Sequence, residues 1–409
     1  HKAKGGATMI DTLTDAMRAA VHEINKRAHK AVRIFHHNDS DGLTSGAILM
    51  RAFEREGFSV QRFCLEKPYP KVLHKIFAAE DQLIVFADFA GRIAPLISEL
   101  NAGRNLVIIL DHHKAAAAAD PMVYNLDPEL FGLRGDRDIT ASTTCYRFAC
   151  VLNPDNRDLA VVAAIGAVGD GFFVDGRLAS ENRKVAMEAR QQGLLEIRSR
   201  QDGEDYILNT PDGPLPCHEQ GAYLDTLGGA GYYHHGPDTG VAVCLEGRSA
   251  ASDRMIAKLQ KIEQTAFADQ IRRLKSGALQ HTSRIQWFHV GEHFAPMGVK
   301  MIGVFCETYR NADFFDPQKF IAGFQIVPNE IPGFGPIRFD EAKISMRVSD
   351  RLQHQIRSGQ IPGLDTFLPA ATARLGGFSD ACHSLTAATT VAVGKEQALI
   401  DEMEAILTQ

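Results

Sequence analysis

Between Ala31 and about Leu110, short apolar runs alternate with helical stretches: AVRIF, LTSGAILMRAFERE, LIVFAD, IAPLISEL and NLVIILD follow one another. That rhythm predicts βαβ units, a parallel sheet with helices on its faces. Segments 157–169 and 182–198 read as helices closing this first domain. After about Gln201 the texture changes to Gly- and Pro-containing loops, NTPDGPLP and LGGAGYYHHGPDTG, and then to a charged amphipathic helix, DRMIAKLQKIEQTAFADQIRRLKSG. RIQWFHV, VKMIGVFCE, FIAGFQIV and AKISMRV read as strands of a second, smaller α/β domain, and GKEQALIDEMEAILTQ as a terminal helix. The expected division is a parallel-sheet domain over 10–200, a connector of loops and one long helix over 201–280, and the second α/β domain over 281–409.

A length of 409 residues exceeds one typical core and fits this two-domain reading. The formal charge of -6 argues against a generally basic surface that coats nucleic acid, though it leaves room for a local basic groove. Seven scattered cysteines with no C-x-x-C pair count against a disulfide scaffold or a structural zinc site and point to a reducing cytoplasm. No apolar run approaches roughly 18 residues, so no membrane span is expected. The first eight residues, HKAKGGAT, read as a frayed terminus before Met9, outside the expected fold.

Chemistry gathers where the apolar runs end. FHHNDSDG places His37, Asp39 and Asp41 at alternate positions, which an extended strand end would point to one side. Asp88 ends LIVFAD, Asp111, His112 and His113 follow NLVIIL, and Asp170 ends the helical VVAAIGAVGD. Ligands bind at the carboxyl ends of strands in open α/β sheets, so these turns should converge. A lone aspartate at a strand end is more often a turn or cap residue. Four such polar sites in one domain instead call for cations among the carboxylates, which would otherwise repel. Mixed aspartate and imidazole ligands suit manganese or a similar divalent ion, and two such ions form the usual clamp for phosphoryl chemistry.

HNDSDG, ADFA, LDHH and GAVGDG resemble, in order and spacing, the four successive motifs of the DHH phosphoesterases, over roughly residues 31–172. The resemblance implies two metal ions, with Asp88 bridging them. By motif match His37 and Asp39 serve one ion, and Asp41, His112 and Asp170 the other; His36 is the rival of His37. It also implies that His113 stabilises charge on a non-bridging phosphate oxygen. Asp111 is expected to orient a ligand histidine. ASTT opens a helix at Ala141, and Ser142 there is read as a phosphate-holding residue, with a plain N-cap as the alternative.

Family members of this kind carry a smaller C-terminal substrate-binding domain with an S-x-R strand and a glycine-rich GGH turn. KISMRVS supplies Ser345 and Arg347, and Arg347 is the residue expected to reach a substrate phosphate or base. Gly376 and Gly377 permit close approach of the backbone to a ligand, but Phe378 stands where the family has histidine, and His383 is the candidate substitute. YYHHG is read as a turn rather than a base-stacking site, and HVGEH is not the helical zinc-protease arrangement. The leading expectation is a manganese-dependent, RecJ-like phosphodiesterase or exonuclease acting on single-stranded nucleic acid or short oligonucleotides. The alternatives are a hydrolase of small phosphorylated molecules, such as cyclic dinucleotides or nucleoside bisphosphates, and a catalytically silent binding subunit.

Overall fold

A computed structural model describes residues 8–379 and 382–408. The chain forms two compact units: one runs to Gly228 and includes His235–Arg254, while the other comprises Gly229–His234 and everything from Met255 onward. The expected connector, 201–280, is thus divided between the two units, because its first part is regular structure of the first one.

That unit contains α1 (Met9–Asn25), β1 (Ala31–His36), α2 (Ser40–Arg55), β2 (Ser59–Cys64), α3 (Pro70–Ile76), β3 (Leu83–Ala87), α4 (Ala94–Asn101), β4 (Leu106–Leu110) and β5 (Val123–Asn125). Then follow α5 (Ala141–Leu152), α6 (Ala160–Asp170), α7 (Ser180–Gln191), β6 (Leu195–Arg200), β7 (Gly203–Thr210), β8 (Gly213–Pro216), α8 (Cys217–Gly228), α9 (Gly236–Glu246) and the start of α10 (Ala250–Arg273). Of the stretch HKAKGGAT, residues 1–7 lie outside the described residues. Thr8 belongs to the fold: it accepts from the Asp11 amide at 3.3 Å while the Asp11 carboxylate accepts from the Thr8 amide at 3.0 Å, a capping box on α1.

The main sheet is parallel throughout, in the order β2-β1-β3-β4-β5. β3 and β4 are buried at every position, as strands covered on both faces must be. Because the order reverses at β1, the switch point lies between β1 and β3, where a crevice opens at the carboxyl ends. The expected helix 182–198 ends earlier, at Gln191; Gly193 turns the chain at φ 76° and β6 begins, pairing in an antiparallel sheet with β7, which pairs with β8. The loop NTPDGPLP is the turn of that sheet: Thr210 Oγ1 donates to Gly213 O at 2.7 Å.

The second unit receives the rest of α10 and contains β9 (Gln280–His281), β10 (Ile285–His289), α11 (Met301–Tyr309), β11 (Phe320–Ile326), a small hairpin β12 (Glu330–Ile331) and β13 (Gly335–Pro336), and β14 (Glu341–Arg347). It closes with α12 (Asp350–Arg357), α13 (Leu364–Arg374), β15 (Thr386–Ala392) and α14 (Glu396–Leu407). Its sheet runs β15-β14-β11-β10-β9, with β10 and β11 parallel and the other pairs antiparallel. VKMIGVFCE, expected as a strand, is helix α11: Met301, Ile302 and Phe305 are buried on one helical face, and so short an apolar run carries no decisive period. This unit has its own core, with Trp287, Phe324, Ile344, Phe367 and Leu399 in one cluster. Among the described residues no helix is long and apolar enough to cross a membrane.

Candidate metal centre

The turn after β1 does not gather its acids by strand alternation. The chain leaves the strand at His36 and enters α2 at Ser40, so Asp39 becomes the N-cap and Asp41 lies in the first helical turn. Asp39 Oδ1 accepts from the Gly42 amide at 3.0 Å, and Asp225, far along the chain on α8, accepts from the Ser40 amide at 2.8 Å. Gly42 is required there, since a Cβ would lie 2.5 Å from the carbonyl of His37. The turn delivers His37, whose Nδ1 stands 2.8 Å from Asp39 Oδ2 and 3.3 Å from Asp88 Oδ2. His36 is directed elsewhere. Its Nδ1 donates to His37 O at 2.7 Å and its Nε2 accepts from Arg62 at 2.7 Å; burial and the guanidinium lower its pKa to about 3.

Asp88 follows β3 with φ at 65°, an uncommon conformation for a residue with a side chain. Its two oxygens face different neighbours: Oδ2 faces His37, and Oδ1 lies 3.4 Å from His112 Nε2. The His112 ring is fixed because Nδ1 lies 2.9 Å from Gly135 O, which can only accept, so Nδ1 carries the hydrogen. Nε2 faces Asp88 at 3.4 Å, Asp170 at 3.6 Å and Asp41 at 3.8 Å; burial disfavours charge on the ring, but these carboxylates, Asp170 foremost, hold its pKa well above the usual imidazole value. The separations exceed ordinary hydrogen bonds and suit a cation that would take the Nε2 lone pair in place of the proton.

The carboxylates themselves are strained electrostatically. Asp41 is buried and accepts from the amides of Ala141 at 2.8 Å and Ser142 at 3.0 Å, yet burial and the charge of Asp88 push its carboxyl well above the usual range. Asp170 ends α6, where the helix dipole disfavours an anion. Its Oδ2 is buried without a hydrogen-bond partner, and burial raises its pKa to about 6. Ligand atoms of His37, Asp39 and Asp88 lie within 4.8 Å of one another, as do those of Asp41, His112 and Asp170, and those of Asp88, Asp111, His112 and His113. Oxygen and imidazole donors around an orphaned buried carboxylate oxygen fit divalent cations of the manganese or magnesium class.

Asp111 departs from its expected partner. It touches the ligand candidate His112 only through that residue's amide, at 2.8 Å, and the imidazole it orients is His113, whose Nδ1 lies 2.7 Å from Asp111 Oδ1. Burial disfavours charge on His113, but the Asp111 carboxylate overrides it and raises the pKa to about 9, so this ring is a cationic donor at neutral pH. Asp111 Oδ2 accepts from the Gly91 amide at 2.8 Å. Ser142, expected to hold a phosphate, is fully buried; its amide donates to Asp41 at 3.0 Å and its hydroxyl donates to Ala163 O at 3.1 Å. The N-cap of α5 is Thr140.

Sequence reasoning missed Asp127, Gly91, Gly135 and Asp225. Asp127 is another acid just past a strand, but three-residue β5 is too short to announce itself. One oxygen of this buried carboxyl accepts from the Glu129 amide at 3.0 Å; the other has no hydrogen-bond partner and shares the space beside Gly91 with Asp111 Oδ2. A Cβ on Gly135 would fall 1.5 Å from His112 O, so only glycine lets that loop reach the ring.

The remaining predicted residues belong to the second unit. Arg347 ends β14, its guanidinium 2.9 Å from Glu307 of α11. Gly376 has φ at 70°, and Gly377 lies so close to β15 that a Cβ would be 2.3 Å from Thr390 O. Phe378 donates its amide to Thr390 O at 2.9 Å, and the half-buried His383 donates its amide to Thr386 O at 2.8 Å.

Residues 31–166 match the DHH family, N-terminal domain. Over 190 residues the chain is 33% identical to an uncharacterised protein of Methanocaldococcus jannaschii, covering 44% of this chain and 40% of that one, so it spans less than half the length of this curated relative. Its fold is similar to the DHH domain of a member of the s1p family of ribosomal proteins, with TM-score 0.61 and 16% identity over 98% of this chain and 90% of that one. It is also similar to RecJ of Thermus thermophilus in complex with Mn2+, with TM-score 0.62 and 16% identity over 96% of this chain and 55% of that one. A third similar structure is exonuclease RecJ bound to manganese, with TM-score 0.59 and 16% identity over 96% of this chain and 94% of that one.

Proposed function

We propose that the chain, whose residues 31–166 match the DHH family, N-terminal domain, and whose fold is similar to RecJ, is a divalent-metal-dependent phosphodiesterase that hydrolyses single-stranded nucleic acid or short oligonucleotides. The observation that carries this reading is Asp88, whose two oxygens face two separate groups of ligand atoms at 3.3 and 3.4 Å, as a carboxylate shared by two cations requires. His37 and Asp39 would hold one ion, Asp41, His112 and Asp170 the other, with Asp88 serving both. Two such ions, manganese in the first instance, supply a water of lowered pKa and neutralise phosphate charge. The chain's own contribution is His113: held as a cation by Asp111, it donates to a non-bridging phosphate oxygen as charge builds there. Arg347, in the second unit, is the proposed contact to a substrate phosphate or base, for which substrate must compete with Glu307. Seven cysteines, none of them in a disulfide, suit a reducing compartment such as the cytoplasm. The rival substrate, a small phosphorylated molecule, draws on Phe378, which stands where the family's glycine turn has histidine.

Manganese-dependent hydrolysis of bis-p-nitrophenyl phosphate and of a labelled oligonucleotide ladder tests the reading. Asp88→Ala should remove activity and both ions, whereas Asp111→Ala should keep the metal and slow turnover by roughly 10²–10³-fold through a misdirected His113. Equal metal loss in the two variants, or an Asp88→Ala protein as active as the parent, would overturn it.

A further inference from the structure

Directly after Asp170 the chain makes a tight hairpin. Gly171, Asp175 and Gly176 all have positive φ, and Val174 and Arg177 exchange two backbone hydrogen bonds of 2.8 and 3.0 Å. Phe172 turns inward, its ring against His112 in an edge contact with centroids 6.2 Å apart. Phe173 and Val174 turn outward and are 41% and 38% exposed. The exposed large apolar residues among those described are Met9, Leu130, Phe173, Val174, Leu194 and Val393; Phe173 is the aromatic one, and only these two are neighbours. Two adjacent, partly exposed apolar side chains on one hairpin give a small apolar surface that a ligand could cover.

The ring is also backed by a rigid support. Phe173 stacks on Tyr206 of β7 at 6.3 Å and 26°. Tyr206 is itself buried and held at its hydroxyl, which donates to Glu204 at 2.8 Å and accepts from the Leu178 amide at 2.9 Å. Arg183 in turn holds Glu204 at 2.9 Å. The outer face of Phe173 is therefore presented at fixed height with its inner face satisfied. Three peptide links separate it from Asp170, so their Cα atoms lie within about 11 Å. A diester whose phosphate sits at the ligand carboxylates carries its attached nucleoside into that range. Exposed Asp175, two residues further along the hairpin, disfavours a second phosphate there, which leaves a flat, uncharged group as the fitting occupant.

We propose that the Phe172–Val174 hairpin is a nucleobase subsite, in which a base of the substrate stacks on Phe173 without sequence discrimination. This rests on the phosphodiesterase reading and specifies its substrate as base-bearing. The test compares kcat/KM for a short single-stranded oligonucleotide with that for the same oligonucleotide made abasic at its terminal residues, in the manganese-loaded full chain. The parent should prefer the base-bearing substrate by about tenfold, the order that aromatic stacking supplies. Phe173→Leu should abolish most of that preference and Phe173→Tyr should retain it, a contrast that a purely packing role would not produce. Leu130→Ala, which removes an exposed apolar side chain elsewhere, should keep the ratio. A preference identical in the parent and Phe173→Leu overturns the subsite while the phosphodiesterase reading stands, as does hydrolysis by the parent with no preference at all. Failure of the manganese-loaded parent to cleave either oligonucleotide overturns both.

Discussion

Asp170 carries a cost that the fold alone does not explain: a carboxylate at the C-terminal end of a helix, with one oxygen buried and unpartnered, among other acids. Its folded pKa of about 6 lies above the unfolded value of 3.8, so between those values the folded state binds more protons. Stability from this group is therefore full below about pH 3.8 and lost as pH rises through 6. In metal-free protein at pH 7.5, Asp170→Asn should raise stability by about 1–3 kcal/mol and flatten the fall in melting temperature between pH 4 and 7, while removing the stabilisation that manganese gives the parent. Melting curves with chelator and with manganese measure both; a variant less stable than the parent in chelator would show that the carboxylate is not a burden. The acid was legible because it closes an apolar run. Its partners were not: Gly135 and Asp225 act through backbone contacts made between distant parts of the chain, and nothing in their local sequence marks them.

At the scale of elements, the candidate ligands are held in place by helices that touch almost without side chains. A Cβ on Gly166 of α6 would lie 2.3 Å from Thr44 Oγ1 of α2 and 2.4 Å from Ser142 Oγ of α5, and one on Gly46 of α2 would lie 2.6 Å from the ring of His36. Through this contact α2, α5 and α6 set Asp41 and Asp170 against His112. Gly166→Ala gains helix propensity but must force these helices apart, and overpacking of this kind costs about 1–3 kcal/mol. The variant should melt lower and bind manganese more weakly, in calorimetric titration, than the parent; unchanged affinity would mean that the ligands tolerate a shifted α6. Three strands of the main sheet, β1, β3 and β4, could be read from sequence because each is an apolar run ending in acid or histidine; β2 and β5 are not such runs. α11 and β6 could not: a nine-residue apolar helix and a strand that directly follows a helix both lack a period long enough to tell them apart.

For the whole molecule, the change of texture near Gln201 announced two domains, and the two compact units divide the expected connector between them, since turns rich in Gly and Pro belong to β-sheets as well as to linkers. Each unit has its own core, and every candidate metal ligand falls in the first. A ligand stabilises what it binds by mass action, so manganese should protect that unit selectively. Hydrogen exchange followed by segment, with manganese and then with chelator, should show slower exchange in the turns around His37–Asp41, Asp88–Gly91 and Asp111–His113 and in α6, and no change in β10, β11 and β14. Were the second unit's strands protected to the same extent, unfolding would be shared by the whole chain and the two cores would not be separate thermodynamic units. Confinement of the effect to the first unit would instead mean that the second sheet, with Arg347 at the end of β14, is free of the metal and answers to substrate alone.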